Sequence, residues 1–439
     1  MALLIIWHVR WPVATLARSP RRGPAGAVRA KGLSVPSAFR PPMRDVHLAG
    51  VGHTPFGRSD RSLLDLVEEA AEAAMRTACP AVDGGGGGGG GGGSGAGGGG
   101  AGGIDAVVVG VMTPMGTLGE AHIASKVMDR LCLPPRPAIR VESGPATGAA
   151  ALHAAAWAVA SGAHDTVLVV AAEKLSHLGS REASGVLARI ATGEERALGL
   201  TMPGMTALLA RAYMRRWGGT PEDLADVAVK AHENASRNPL AHLRGRVTRE
   251  EVLAAPMVAD PLRRHNCAPL SDGAVAAVLT SRPGARVRLA GMGAATDRVR
   301  YQDRRAVDGF PATRHAVGRA LEMAGAASAD IDVVETHDAF SNLEWSNIED
   351  LGLVAPGEAL AAFRRGDTGL SGPLPVNPSG GLTAKGHPVG ASGLGEVAEV
   401  FWQLTGEAGG RQVDGARLGL AHSIGGFGAS VFVTVLEAA

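Results

Sequence analysis

Short apolar runs alternate with helix-patterned segments along most of the chain, and this alternation constrains the fold more than any other feature. Ala106 to Val109 is apolar at every position and ends at Gly110, and Thr166 to Val170 has the same character. Strands that are buried on both faces of a parallel sheet have such continuous apolar sequences. Residues 63–74 instead repeat apolar side chains at helical spacing, and residues 146–160 form an Ala-rich segment that predicts a helix. The pattern therefore predicts layered α/β structure.

Length and charge limit the possible functions. The chain has 439 residues, enough for two domains or one large duplicated unit, and a formal net charge of +1. Without a basic excess, and with only 4% aromatic residues, neither nucleic acid nor an anionic membrane is an expected partner. No apolar run reaches the ~18 residues that a transmembrane helix needs.

The three cysteines indicate the compartment. Cys79, Cys132 and Cys267 are too few for a disulfide framework, and their spacing matches no zinc site. A reducing compartment is the simplest interpretation, so we expect a cytoplasmic protein with no metal. Cys132 lies between two leucines and is predicted to be buried.

Two segments differ from the rest of the chain. Residues 1–43 contain seven basic residues and no acidic one, which predicts a disordered extension; organelle targeting and a start-site error both remain open. Residues 84–103 contain 17 glycines in 20 positions, which predicts a flexible surface loop whose deletion changes activity little.

A weak internal repeat suggests duplication. Ile104-Asp105-Ala106-Val107-Val108 is similar to Ile331-Asp332-Val333-Val334. Two copies of one α/β unit would account for the length without two unrelated domains.

The strongest candidate for chemistry is the segment from Asn377 to Gly393. It contains five glycines and two prolines within seventeen residues, a composition typical of tight turns and close backbone approach. A helix is predicted to follow, and its N-terminus offers free amide groups to an anion or a carbonyl oxygen. His387, placed inside this loop, is a candidate general base.

This segment resembles a signature of the thiolase superfamily, which has the form N-x-S-G-G…G-H-P-x-G-A-S-G. Further stretches that resemble the family are Glu173-Lys174, Asn238-Pro239, Ser271-Asp272-Gly273-Ala274, His337-Asp338-Ala339-Phe340 and His422-Ser423-Ile424-Gly425-Gly426. The His-Asp-Ala-Phe form and His422 are similar to the sterol-carrier-protein-type and archaeal acetyl-CoA acetyltransferase branch. The resemblance covers nearly all of residues 43–439.

The resemblance implies a fold and a ligand. It implies a duplicated, five-layered α/β fold with halves at residues 44–283 and 284–439, and a homodimer or higher oligomer. It implies an acyl-CoA thioester as the substrate, with coenzyme A as part of it and no other cofactor. A small OB-fold protein is a further partner known among thiolase-like aldolases.

The resemblance also implies roles for single residues. His387, His337 and His422 are the catalytic candidates: a base, a group that positions the thioester oxygen, and an acid/base toward the second substrate. Asn377, Gly380 and Gly425 are candidates for substrate and oxyanion binding, because Claisen-type chemistry builds negative charge on the thioester oxygen. His337 and His422 have an alternative interpretation as buried structural histidines.

One position departs from the family. The family's nucleophilic Cys lies in a segment of the form V-E-x-A-C-A-S-G, and the corresponding residues here are Val141 to Gly148, with Pro145 at the Cys position. Proline has no nucleophilic side chain and no N–H, although it suits the first turn of a helix. Ser143 is a possible substitute if a base is aligned with it, and no cysteine is a credible one.

Three functions therefore remain open. The first is a retro-aldol cleavage of a β-hydroxyacyl-CoA, which needs no acyl-enzyme. The second is acyl transfer, by thiolysis or condensation, with another nucleophile. The third is a non-catalytic acyl-CoA-binding subunit of a complex.

Overall fold

A computed structural model describes residues 43–78, 103–304 and 308–439. Residues 1–42 and all but the last residue of the predicted glycine loop at 84–103 lie outside the described residues, so both interpretations remain predictions.

The described residues alternate between strands and helices as the sequence pattern predicts. The strands are β1 (His47–His53), β2 (Ala106–Gly110), β3 (Ala138–Val141), β4 (Thr166–Glu173), β5 (Met257–Ala259), β6 (Leu262–Arg263), β7 (Gly273–Thr280), β8 (Val287–Thr296), β9 (Val333–Thr336), β10 (Leu418–Gly425) and β11 (Ser430–Ala438). The α-helices are α1 (Leu63–Ala78), α2 (Pro114–Thr117), α3 (Ile123–Arg130), α4 (Thr147–Ala160), α5 (Ser180–Leu187), α6 (Gly193–Ala197), α7 (Met202–Trp217), α8 (Pro221–Ser236), α9 (Arg249–Ala254), α10 (Pro311–Ala324), α11 (Asn342–Asp350), α12 (Ala359–Arg365) and α13 (Ser392–Thr405).

Nine strands form one sheet whose two parts repeat the same topology. The order is β3-β2-β4-β7-β1-β8-β11-β10-β9. In the first part β1 pairs antiparallel with β7, β7 antiparallel with β4, and β4 parallel with β2. In the second part β8, β11, β10 and β9 pair in the same sequence of directions. In the second part, a parallel bridge from Val334 of β9 to Val376 takes the place that β3 has beside β2 in the first part. The two parts therefore share one topology, and the fold is duplicated.

The repeated Ile-Asp pair has the same structural role in both halves. The Asp105 carboxylate accepts the backbone N–H groups of Asp165 and Thr166, at the start of β4. The Asp332 carboxylate accepts those of Arg417 and Leu418, at the start of β10. Each aspartate therefore joins the beginning of one parallel strand to the next, which explains why the short sequence match recurs.

Helices α4 and α13 form the layer between the two parts of the sheet. Helix α4 packs on β2, β4 and β11, and α13 packs on β1, β7, β9 and β10. Nearly every residue of both helices is buried. This is expected for α4, which is almost wholly apolar, whereas α13 also buries Glu396, Glu399 and Gln403. Helices α1 and α3 cover the outer face of one part, and α10 and α11 that of the other. The predicted five-layered α/β fold is confirmed, and it brings the N-termini of α4 and α13 together.

Candidate active site

A cavity of about 390 Å³ lies where the start of α4 meets the loop before α13. Its wall is mainly apolar, and His337 and His387 are its two histidines. Such a pocket suits an apolar group whose orientation a few polar atoms fix. The lining residues are Pro145, Ser180, Ser184, Leu187, Ile190, Thr201, Met202, Pro203, Thr206, Val258, Cys267, Ala268, Pro269, Leu270, Phe310, His337, Ala339, Phe340, Leu343, His387, Val389, Ile424 and Phe427.

Pro145 lies in the cavity wall, in a tight turn just before α4. Gly144 adopts a left-handed conformation with φ of 57°, and the Thr147 hydroxyl donates to its carbonyl oxygen. The backbone N–H of Ser143 in turn donates to the Thr147 hydroxyl at 2.9 Å. These hydrogen bonds hold the turn without needing an N–H at position 145. Pro145 itself gives the cavity neither a nucleophile nor a hydrogen-bond donor.

The turn that carries Pro145 is packed against Gly425. A Cβ atom on Gly425 would lie 2.3 Å from the Ser143 carbonyl oxygen and 3.2 Å from Ala146 Cβ, so a side chain would displace the turn. Gly425 is therefore beside the cavity, as an oxyanion-binding candidate should be, although its role as a donor stays a prediction. The Ser143 hydroxyl donates to Ser430 Oγ at 3.0 Å, and Ser143 is not a lining residue.

His387 has one ring nitrogen held and the other available. Its Nδ1 lies 2.7 Å from Ser392 Oγ, and that hydroxyl donates its proton to the Pro388 carbonyl oxygen at 3.0 Å. The hydroxyl oxygen is then the acceptor for Nδ1–H, so the proton of the neutral ring is on Nδ1. Nε2, with no partner among the described residues, has its lone pair free for the cavity.

His337 lies edge-on to His387, with ring centroids 5.1 Å apart. Its Nδ1 is 3.4 Å from Oε1 of Glu396, a residue of α13. The Asn347 side chain donates to the His337 carbonyl oxygen at 3.0 Å and fixes the backbone at the end of β9. The structure therefore brings His337 and His387 together, and their catalytic roles stay predictions.

Burial keeps these rings neutral. It lowers the pKa of His337 to about 3. It also lowers the pKa of His387 well below its usual value, with a further contribution from His337. Because an uncharged imidazole is required for a general base, His387 is in the competent form at neutral pH.

His422 is not brought to the cavity wall. Its Nδ1 lies 2.8 Å from Thr336 Oγ1 and its Nε2 lies 3.1 Å from Thr313 Oγ1, so both ring nitrogens are engaged. Burial, and then repulsion from His337, lower its pKa to about 3. The contacts of His422 are those of a buried, hydrogen-bonded structural histidine, and its acid/base role stays a prediction.

Asn377 and Gly380 support the site from behind. The Asn377 side-chain oxygen accepts the Thr336 N–H at 2.7 Å. The Gly380 N–H donates to the Asn377 carbonyl oxygen, and a Cβ on Gly380 would lie 2.6 Å from Ala235 Cβ. Neither residue lines the cavity. These contacts hold the loop that leads to His387 in place. Direct binding of the substrate by Asn377 or Gly380 stays a prediction.

The two cysteines among the described residues differ in their environment. Cys267 lines the cavity, but burial raises its pKa to about 12, so the reactive thiolate is scarce at neutral pH. The prediction that Cys132 is buried is wrong, because the short turn after α3 places it on the surface. Cys79 lies outside the described residues.

Sequence reasoning missed most of the apolar wall. Helix α5 and the turn after it, the start of α7, and two phenylalanines contribute lining residues that carry no motif. They are Ser180, Ser184, Leu187, Ile190, Thr201, Met202, Pro203, Thr206, Phe310 and Phe427. Because they mix apolar side chains with Ser and Thr and come from separate segments, no sequence pattern marked them.

The described residues contain neither a candidate metal site nor a candidate membrane span. Within residues 43–78, 103–304 and 308–439 no group of His, Cys, Asp and Glu side chains is arranged to hold a metal ion. No helix in these ranges combines the length and the apolarity that a membrane span requires.

Comparisons with known proteins place both halves of the chain in one family. Residues 100–283 match the family model "Thiolase, N-terminal domain", and residues 293–438 match "Thiolase C-terminal domain-like". An acetyl-CoA acetyltransferase of Methanothermobacter thermautotrophicus is 41% identical over 403 residues, which cover 90% of this chain and 100% of the relative. Sterol carrier protein 2 of Gallus gallus is 32% identical, over 89% of this chain and 71% of the relative.

The same fold is found among solved structures. The structure titled "Ltp2-ChsH2(DUF35) aldolase" has a TM-score of 0.73 and 24% sequence identity, and covers 90% of this chain and 98% of the other.

Proposed function

The chain belongs to the thiolase superfamily, and we propose that it cleaves β-hydroxyacyl-CoA thioesters between Cα and Cβ by a retro-aldol reaction. One observation carries the proposal. At the start of α4 the cavity presents Pro145, which forms no acyl-enzyme, while the Nε2 lone pair of His387 is free beside it. A retro-aldol cleavage needs a base and an oxyanion donor but no covalent intermediate.

The reaction balances with the groups present. His387 Nε2 takes the proton of the β-hydroxyl, and the C–O bond becomes a carbonyl as the Cα–Cβ bond breaks. The released electron pair forms the enolate of the shortened thioester, whose oxygen is stabilised by a hydrogen-bond donor, the role proposed for His337. The imidazolium of His387 then returns the proton to Cα, which yields an acyl-CoA and an aldehyde or ketone.

The side chains that line the cavity fit this chemistry. Its apolar wall, with Phe310, Phe340 and Phe427, accepts the acyl part of the substrate and excludes water from the enolate. Excluding water also matters because the desolvated His387 ring stays neutral, with its Nε2 lone pair available as a base. The partners implied by the family resemblance, a second copy of this chain and a small OB-fold protein, are part of the proposal.

Replacement of the base tests the proposal directly. The substitution His387→Ala is expected to lower kcat for a β-hydroxyacyl-CoA by at least about 100-fold, the usual contribution of a general base. Cleavage is followed by the release of the carbonyl product, with and without a co-purified OB-fold partner. The exposed His315 of α10 supplies the control His315→Ala, which should keep wild-type turnover. Undiminished turnover by His387→Ala in a folded protein would refute the mechanism.

Acyl transfer is the second candidate, because Cys267 lines the cavity and the 41% identical relative is an acetyl-CoA acetyltransferase. Incubation with an acyl-CoA followed by mass spectrometry of the intact protein distinguishes it. An acyl adduct that disappears in Cys267→Ala would favour acyl transfer over cleavage. Binding of the thioester without adduct or turnover, alone and with the partner, would leave the third function, a non-catalytic subunit.

A further inference from the structure

Glu396 is a buried carboxyl group directly behind His337. It lies on the second turn of α13 with 1% of its surface exposed, and its Oε1 is 3.4 Å from His337 Nδ1. Both carboxyl oxygens of Glu396, Nδ1 of His337 and the hydroxyl oxygen of Ser423 are buried without a hydrogen bond of standard geometry among the described residues. Such atoms are costly unless they satisfy one another, and the electrostatics of Glu396 already include the Ser423 hydroxyl as one partner, which leaves His337 Nδ1 for the other carboxyl oxygen.

The environment of Glu396 favours its neutral form. Burial raises its pKa well above the usual value, against the weaker opposite effects of Lys385 and Ser423. The Lys385 ammonium forms its ion pair with Glu335, whose Oε2 lies 3.4 Å from Nζ, and acts on Glu396 only through its charge. A protonated carboxyl has one O–H to donate, and the neutral His337 ring has one nitrogen to accept it.

We infer that Glu396 is a positioning residue that donates its carboxyl proton to Nδ1 of His337 and thereby keeps the ring proton on Nε2. Nε2 is the ring nitrogen left for the cavity, so His337 presents a donor there. His387, whose Nδ1–H is held by Ser392, presents a lone pair. The two adjacent rings are thus held in opposite tautomers, one for the enolate oxygen and one for the proton of the β-hydroxyl.

This inference rests on the proposed function for its catalytic meaning, but not for its geometry. Nitrogen NMR of the histidine-labelled protein reports the protonation of each ring nitrogen without any substrate. The His337 signal is assigned as the one that is missing in His337→Asn. We expect Nε2–H with an accepting Nδ1 in the wild type. A proton on Nδ1, or on both nitrogens, would overturn the inference.

Two variants at position 396 separate positioning from packing. In Glu396→Gln the amide N–H still donates to His337, so the tautomer is expected to be kept and kcat to stay within about threefold of wild type. In Glu396→Leu the donor is lost, so we expect a mixture of tautomers and a kcat about 10- to 100-fold lower, with little change in KM. If Glu396→Leu has the same kcat and the same His337 tautomer as the wild type, the inferred role of Glu396 is also overturned.

The outcomes distinguish this inference from the proposed function. If the wild type fails to cleave every β-hydroxyacyl-CoA, the proposed function fails, while the NMR result for His337 still supports or overturns the role of Glu396. If Glu396→Leu does not fold, the wild-type spectrum and Glu396→Gln decide the matter.

Discussion

At the scale of single residues, buried ionisable groups hold the site loops in place. Glu173 ends β4 with its side chain fully buried, and its Oε2 accepts the Met112 N–H at 2.9 Å. A Cβ on Gly390, in the loop after His387, would lie 2.7 Å from the same oxygen. Glu173 therefore fixes the distance between β4 and the loop that carries His387, and it does so from inside the protein.

Glu173 gives a prediction about pH. Burial raises its pKa to about 8, far above that of an unfolded glutamate, so between pH 4.5 and 8 the folded state binds the extra proton. This contribution to stability is complete below pH 4.5 and is lost as the pH rises through 8. Relative to Glu173→Gln, the wild type should lose free energy of unfolding on the order of a few kcal/mol between pH 6 and 9.

Urea unfolding of both proteins at several pH values measures this difference. The exposed Glu358 provides the control, because Glu358→Gln should keep the wild-type pH dependence. The same slope in wild type and Glu173→Gln would show that Glu173 is ionised in the folded protein.

At the scale of elements, a second sequence repeat explains how the outer helices pack. Leu48-Ala49-Gly50-Val51-Gly52 in β1 is similar to Leu289-Ala290-Gly291-Met292-Gly293 in β8, a match that sequence analysis missed. A Cβ on Gly52 would lie 2.1 Å from the Ala70 carbonyl oxygen of α1, and one on Gly293 would lie 1.8 Å from that of Ala316 in α10. In both halves glycine lets a helix backbone lie directly on the strand.

Glycine-to-alanine substitutions should change stability in opposite directions at a packed and at an open glycine. Gly293→Ala should lower the free energy of unfolding by about 1–3 kcal/mol, because the new methyl group meets backbone that cannot move alone. Gly318→Ala, at an exposed position of α10 with open space around it, should raise it by about 0.5–1 kcal/mol. Chemical denaturation of both variants tests the pair, and a neutral Gly293→Ala would contradict the close packing.

At the scale of the whole molecule, the candidate site forms where the two halves meet. Helices α4 and α13 occupy equivalent places in the halves and touch near their N-termini through a glycine from each. A Cβ on Gly148 would lie 2.7 Å from the Leu394 nitrogen, and one on Gly393 would lie 2.8 Å from the Ala149 nitrogen. This close contact determines how near Pro145, before α4, lies to His387, before α13.

Separation of the helices should therefore reduce activity. Gly148→Ala is expected to cost about 1–3 kcal/mol of stability and to lower kcat/KM for thioester cleavage, because the two site loops move apart. Gly395→Ala in α13 is the matched control, since its Cβ would meet only side chains, at 3.3 Å or more. Thermal unfolding and steady-state rates test both variants. Full activity in Gly148→Ala would mean that the helix contact does not position the site.

The sequence by itself determined the α/β class, the duplication and the loop that carries His387. Periodicity predicts α1, β2, α4 and β4, because the spacing of apolar residues reflects which side of each element is buried. The dense glycines and prolines around His387 predict a tight loop for a similar local reason.

Only the tertiary structure decided what each polar side chain contacts. It placed Glu396 behind His337, engaged both nitrogens of His422 with threonines, and put Cys267 in the wall of the cavity. These partners come from different elements, far apart in the chain. Periodicity encodes the face on which a residue lies, whereas its partner across the core is set by how the layers pack.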